Sequence, residues 1–204
     1  MGVALAQPRG EFNEYVGVGV GLMGFVRGHL DERGVLGLRL QGGVLTYGRE
    51  TQRVPLSETI GRIEVDLTTS NNIFLLSAGP ELAIPMGNAR VWAHAGGGLG
   101  YFSTDSQVQG SLGDQEPFAS TRNFSDAGFA WNAGAGIDYT LARIRGSPVA
   151  LTFGLSHQEN GRREYLTRGG IRDLPGGGLE FDVKRSQANF LLWTFGVSVG
   201  FVPE

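Results

Sequence analysis

The chain has 204 residues, a net charge of -3, no cysteine, and 34 glycines beside sixteen arginines and a single lysine, Lys184. That length suits one β-domain, the charge offers no general attraction to nucleic acid, and the absence of cysteine excludes disulfides and thiolate metal sites. No run approaches ~18 consecutive apolar residues, which excludes a spanning helix in this sequence and leaves a spanning barrel open. The glycines follow no collagen-like triplet, so they point to strands and turns.

At the amino end Ala4, Leu5 and Ala6 form an Ala-x-Ala ending of the kind that precedes signal-peptidase cleavage. Residues 1–12 are therefore expected to be a leader or signal-peptide remnant, and 13–204 a single folded domain. From Tyr15 to Val26 a β-branched face (Val16, Val18, Val20, Leu22) alternates with glycines, which is the period of a strand. His29 to Gly34 reads as a turn, and Val35 to Tyr47 as a second strand with Leu36, Leu38, Leu40 and Val44 opposite Arg39 and Gln41. Gly48 to Gly61 loses the alternation and is expected to be a connection.

Arg62 to Thr68 sets Ile63, Val65 and Leu67 against Arg62, Glu64 and Asp66, and is expected to be a third strand. Thr69 to Asn72 reads as a tight polar turn before a fourth strand, Ile73 to Ile84, in which Glu81 lies on the polar face and Pro80 implies irregular pairing. A fifth strand, Arg90 to Phe102, puts Arg90, Trp92 and His94 opposite Val91, Leu99 and Tyr101. Ser103 to Asp126 is expected to be a long polar loop. The sixth strand, Ala127 to Leu141, alternates Phe129, Trp131, Ile137 and Tyr139 with Asn132 and Asp138. Ala142 to Pro148 is a turn, Val149 to Ser156 a seventh strand carrying Phe153, and His157 to Gln187 the longest connection.

The last run, Phe190 to Phe201, shows which solvent the pattern suits: Leu191, Trp193, Phe195, Val197, Val199 and Phe201 share one face against Thr194, Gly196 and Ser198. Large apolar residues opposite small ones over about ten residues fit a strand crossing a bilayer at a tilt. Parity alone does not say which face is inside, because a soluble lipocalin-like barrel would invert it. Glycine decides, since small residues belong where a narrow interior leaves little room. The expected fold is all-β, an eight-stranded antiparallel up-and-down transmembrane β-barrel.

In that arrangement the lumen would hold Arg39, Gln41, Arg62, Glu64, Asp66, Glu81, Arg90, His94 and Asp138, mutually neutralised as a plug because unpaired buried charge is costly. Tyr101, Phe129, Trp131, Tyr139, Phe153, Trp193, Phe195 and Phe201 would face lipid. Thr194, Gly196, Val199 and Phe201 fit a polar-x-Gly-x-x-hydrophobic-x-aromatic pattern, similar to the carboxy-terminal assembly signal of bacterial outer-membrane barrels, although Val202, Pro203 and Glu204 follow it.

On these features the chain resembles the small eight-stranded outer-membrane β-barrel family, OmpA/OmpX-like or OmpW-like. The resemblance implies a multi-pass barrel in a Gram-negative outer membrane, inserted by the barrel-assembly machinery amid lipid and lipopolysaccharide. The resemblance does not imply one activity; the expected role is non-enzymatic and without cofactor or metal, a porin-like barrel with a plugged lumen whose long extracellular surface loops serve surface interaction or cell-envelope integrity through an unknown ligand. The alternatives are an OmpW-like passage for small hydrophobic molecules and a lipid A modifying enzyme. The enzyme alternative is the weaker. A deacylase would show His-x-Ser-Asn where this chain has Ser156, His157, Gln158, Glu159 and Asn160, and His29 with Asp105 and Ser106 matches a palmitoyltransferase site only loosely.

Overall fold

A computed structural model describes residues 1–55, 64–110, 117–174 and 178–200. Its strands are β1 (Gly2–Pro8), β2 (Gly19–His29), β3 (Leu36–Pro55), β4 (Glu64–Met86), β5 (Ala89–Gly110), β6 (Ala119–Ile144), β7 (Ser147–Glu159), β8 (Arg162–Tyr165), β9 (Ile171–Leu174), β10 (Gly178–Phe181), β11 (Lys184–Gln187) and β12 (Phe190–Val199). Eight of them form one antiparallel sheet that rings round in the order β1-β12-β7-β6-β5-β4-β3-β2, with β1 paired on one side to β12 and on the other to β2. The other four make two short hairpins, β8 with β11 and β9 with β10, within the link before β12. The row of partners Gly2, Met23, Gly43, Leu75, Gly100 and Gly128 starts at the foot of β1 and ends high on β6. That offset is the stagger of strands tilted to the ring axis.

The eight strands are not the eight expected from the sequence. Gly2–Pro8, expected to be part of a leader, forms β1, with Val3 and Leu5 outward and Ala4 and Ala6 buried. The third and fourth expected strands are one, β4, running through Thr69 to Asn72 without a turn. Three of those four polar residues bond across the sheet: Thr69 Oγ1 lies 2.8 Å from Ser106 Oγ, Thr104 Oγ1 donates to Asn71 Oδ1 at 2.7 Å, and Thr46 Oγ1 donates to Asn72 Oδ1 at 2.8 Å. A side-chain ladder of this kind stabilises a strand, whereas the same residues in sequence alone signal a turn. The connection expected from Gly48 and the loop expected from Ser103 shrink likewise, because β3 reaches Pro55, β5 reaches Gly110 and β6 begins at Ala119. At Pro80 the expected irregularity is present: pairing of β4 with β5 lapses between Ala78↔Gly97 and Glu81↔His94.

The short turns that join consecutive strands of the ring lie at one end. Residues 30–35 join β2 to β3, Gly87 and Asn88 join β4 to β5, and Arg145 with Gly146 joins β6 to β7. Arg145 (φ 50°) and Gly146 (φ 84°) both take positive φ, the requirement of a type I′ hairpin turn matched to strand twist. The links from β1, β3, β5 and β7 lie at the opposite end.

Period two divides the ring into two faces. On β4, Ile73, Leu75, Ser77, Glu81 and Ala83 are buried, while Phe74, Leu76, Leu82 and Ile84 are exposed. The outward face is apolar over the half of each strand nearer the short turns, for example Leu36, Leu38 and Leu40 on β3, Ile137, Tyr139 and Leu141 on β6, and Phe195, Val197 and Val199 on β12. It turns polar at Gln7, Thr46, Asn72, Ser103, Ser125 and His157. Beyond that line β3 to β6 continue as a four-stranded polar extension.

Candidate functional site

The interior has two layers. Near the short turns, Glu81 is 1% exposed and faces three guanidinium groups: Arg39 Nη1 at 2.9 Å, Arg90 Nη2 at 3.1 Å and Arg27 Nε at 3.6 Å. Asp138 is the second acid. It accepts from Arg27 Nη1 at 2.6 Å and from the Trp92 indole N–H at 3.1 Å. Three arginines against two acids leave an excess positive charge, and aromatic faces offset part of it. The Arg39 guanidinium lies 4.1 Å from the Phe25 ring centroid and 4.5 Å from that of Trp92, and Arg27 lies 4.7 Å from Phe25.

An amide chain extends this network inward. Arg39 Nε donates to Gln41, Gln41 donates to Asn132 Oδ1, and Asn132 donates to Ser77 Oγ at 2.7 Å. His94 Nε2 stands 2.9 Å from the same Asn132 oxygen, so Nε2 carries the proton, and among the described residues Nδ1 has no partner. His94 and Gln41 line a cavity of ≈ 30 Å³, the size that one ordered water fills. The bulk of Trp92 requires bare neighbours: a Cβ on Gly154 would stand 2.8 Å from the indole, and one on Gly136 would overlap it.

The second layer is aromatic and lies toward the long links. The 3-10 turn Gly10–Glu14, between β1 and β2, drops Phe12 into the ring, where it is 1% exposed. Its ring meets Tyr165 edge-on at 5.1 Å and also packs near Tyr47, Phe102 and Phe190 at 6.0, 6.2 and 6.4 Å. The polar ends of the two tyrosines are satisfied: Tyr47 donates to the Leu166 carbonyl at 3.0 Å, and the Tyr165 hydroxyl lies 2.6 Å from Ser186 Oγ. Glu11 pins the turn by accepting the Gln187 N–H at 3.0 Å.

Six of the nine expected lumen residues are brought together: Arg39, Gln41, Glu81, Arg90, His94 and Asp138. Glu64 and Asp66 are not among them. They lie on the polar extension, 3.8 and 3.2 Å from Arg53 Nε, in an exposed cluster. Because β4 is a single long strand, the acids at its start sit far along it from Glu81. Arg62 lies outside the described residues. Arg27 and Asn132 are additions to the expected set; an expected first strand that ends at Val26 stops one residue short of Arg27, although Arg27 shares parity with Met23 and Phe25. Phe12 was missed with the rest of residues 1–12.

Of the expected lipid-facing aromatics, Phe129, Trp131, Tyr139, Phe153 and Phe195 are exposed on the outward face, and Tyr101 and Trp193 are half-buried against the Phe74 and Phe153 rings. Phe201 lies outside the described residues, and of the assembly pattern Thr194 and Gly196 face inward while Val199 faces outward. Val16, expected outward, is buried in the aromatic layer. Tyr165 is committed to that layer, and Arg122 to Asp105 at 2.9 Å. Among the described residues no three His, Asp or Glu side chains are grouped to hold a metal ion. No protein-family model matches the chain, and no curated protein matches its sequence.

Proposed function

We propose that the chain is an outer-membrane-type transmembrane β-barrel with a plugged lumen, a non-enzymatic protein that acts through the polar rim at its long-link end. The observation that carries this reading is the line at which the outward faces of six of the eight ring strands, β1 and β3 to β7, change from apolar to polar. Between the short turns and that line, strands such as Phe74 to Ile84 present apolar residues to the outside, and a strand needs about 9–11 residues to cross a bilayer at a tilt. An apolar belt of this extent is unlike the scattered exposed residues of a soluble monomer. In water the belt would drive association; in a bilayer it is solvated.

The short-turn end would then be periplasmic and the rim extracellular, with bilayer lipid and lipopolysaccharide as the surrounding partners and the barrel-assembly machinery as the route of insertion. The two filled layers favour a plug over a passage for hydrophobic solutes. The rim is built from the extensions of β3 to β6 and the paired hairpins of the last link, so its surface is more ordered than long loops imply. The protein should require detergent, migrate on gels in a heat-modifiable way, and give no large stable conductance in planar bilayers. A monodisperse detergent-free monomer would contradict the reading.

A further inference from the structure

The wall of the ring is interrupted where β2 ends. Its pairing with β3 stops at Val20↔Thr46, whereas β3 continues to Pro55 paired only with β4. Above Val20 the gap is floored by the link that buries Val16 and by Tyr47, which is anchored to Leu166. The result is an open groove of ≈ 630 Å³ on the outer surface, within the range of small-molecule sites.

Its lining changes character with height. Val18 and Val20 are 62% and 55% exposed at the lower side, Val20 level with Thr46 at the upper edge of the apolar belt and Val18 just beyond it. Arg49, Arg168, Ser70 and Thr167 form the upper side, beyond the line where β3 turns polar at Thr46. Both arginines are exposed, and among the described residues neither makes an ion pair within 4.0 Å or a side-chain hydrogen bond. Arg53, Arg122 and Arg185, also on the rim, each have a carboxylate partner. Two uncommitted guanidinium groups above an apolar wall fit an amphiphile whose head is a phosphate, since the planar fork matches phosphate oxygens in a bidentate way.

We propose that this groove binds a phosphate-bearing lipid of the surrounding leaflet, with the phosphate between Arg49 and Arg168 and an acyl chain along Val18 and Val20. The site rests on the transmembrane reading, because only there does the groove straddle the edge of a bilayer. A lipid held here would seal the one side of the wall where β2 leaves β3 unpaired.

The test is native mass spectrometry of the full chain from detergent micelles with added dioleoyl phosphatidic acid, dioleoylglycerol or glycerol 3-phosphate. Phosphatidic acid should be retained as a single adduct, and dioleoylglycerol should not. The double variant Arg49→Gln/Arg168→Gln should lose retention about ten-fold or more, while Arg162→Gln/Arg172→Gln should keep it. Equal retention by the first variant, equal loss in the second, or retention of dioleoylglycerol would overturn the site. Displacement of the lipid by glycerol 3-phosphate at similar concentration would overturn the role of the acyl chain. Each variant is first checked for heat-modifiable folding in detergent, so failure of the site is told apart from failure of the membrane reading.

Discussion

At the short-turn end the ring is filled by Arg27, Arg39, Glu81, Arg90 and Asp138; at the other end it is filled by Phe12, Phe102, Tyr165 and Phe190. Every member of the polar layer comes from a strand of the ring, so strand parity alone puts it inside. The aromatic layer depends on two links, one after β1 and one before β12, that fold back into the ring. The polar layer is therefore determined pair by pair in the sheet, and the aromatic layer only when both links have closed. A ring can be filled from its wall or from its connections, and this one uses both.

The largest expected effect comes from removing the acid that the three arginines share. Glu81→Ala leaves those guanidinium groups with Asp138 alone and should cost about 3–5 kcal/mol, the range for breaking a buried pair. Urea unfolding in detergent or vesicles measures it. A change within error would mean that the layer is hydrated and not a plug. Phe12→Ala tests the other layer and should cost about 3–4 kcal/mol from lost burial and the cavity left behind. Limited proteolysis should then cut the links 9–18 and 160–189 while the wall remains protected. If the wall is lost as well, the two layers are not independent.

A smaller effect sharpens the contrast within one strand. Glu64 and Asp66 share β4 with Glu81, yet they pair with Arg53 on the exposed extension, so replacing either by Ala should cost no more than ~1 kcal/mol. A cost near that of Glu81 would place them in the interior after all. The smallest effect concerns a short turn. Asp31 accepts the Leu36 N–H at 2.7 Å, and this holds its carboxyl below the ordinary aspartate range. A depressed folded-state pKa gives a contribution that is complete at neutral pH and is lost as pH falls through the lowered value. The difference in stability between the natural chain and Asp31→Asn should therefore narrow on acidification.

What the sequence made legible follows the same division. The faces of β2, β5, β6, β7 and β12 and the polar-layer charges Arg39, Glu81, Arg90 and Asp138 are readable, because a period of two fixes them locally, whereas Arg27 lies beyond the expected end of its strand. Thr69 to Asn72 misled because those side chains bond to Thr46, Thr104 and Ser106, partners that no local pattern reveals. That one misreading splits β4, places Glu64 and Asp66 in the lumen, and keeps the strand count at eight with β1 assigned to a leader. The alternation of Val3 and Leu5 with Ala4 and Ala6 was a usable signal, overridden by the resemblance of Ala-Leu-Ala to a cleavage site. Phe12 and Tyr165 carried no signal of burial, since each lies in an irregular polar stretch.

The central claim is that the outward face meets lipid while the inward face is filled by protein, and the cysteine-free sequence lends itself to a direct test. Single cysteines at Leu38, Leu82, Leu151 and Phe195 (outward), at Ser77 and Thr152 (inward), and at Gln52 (rim) would each carry a fluorophore in the protein reconstituted in vesicles. Quenching by lipid-borne nitroxide should be strong at the four outward positions and weak at Ser77 and Thr152, with Gln52 quenched only by an aqueous agent. Equal aqueous quenching at the four outward positions, or their protection in a detergent-free monomer, would contradict the account.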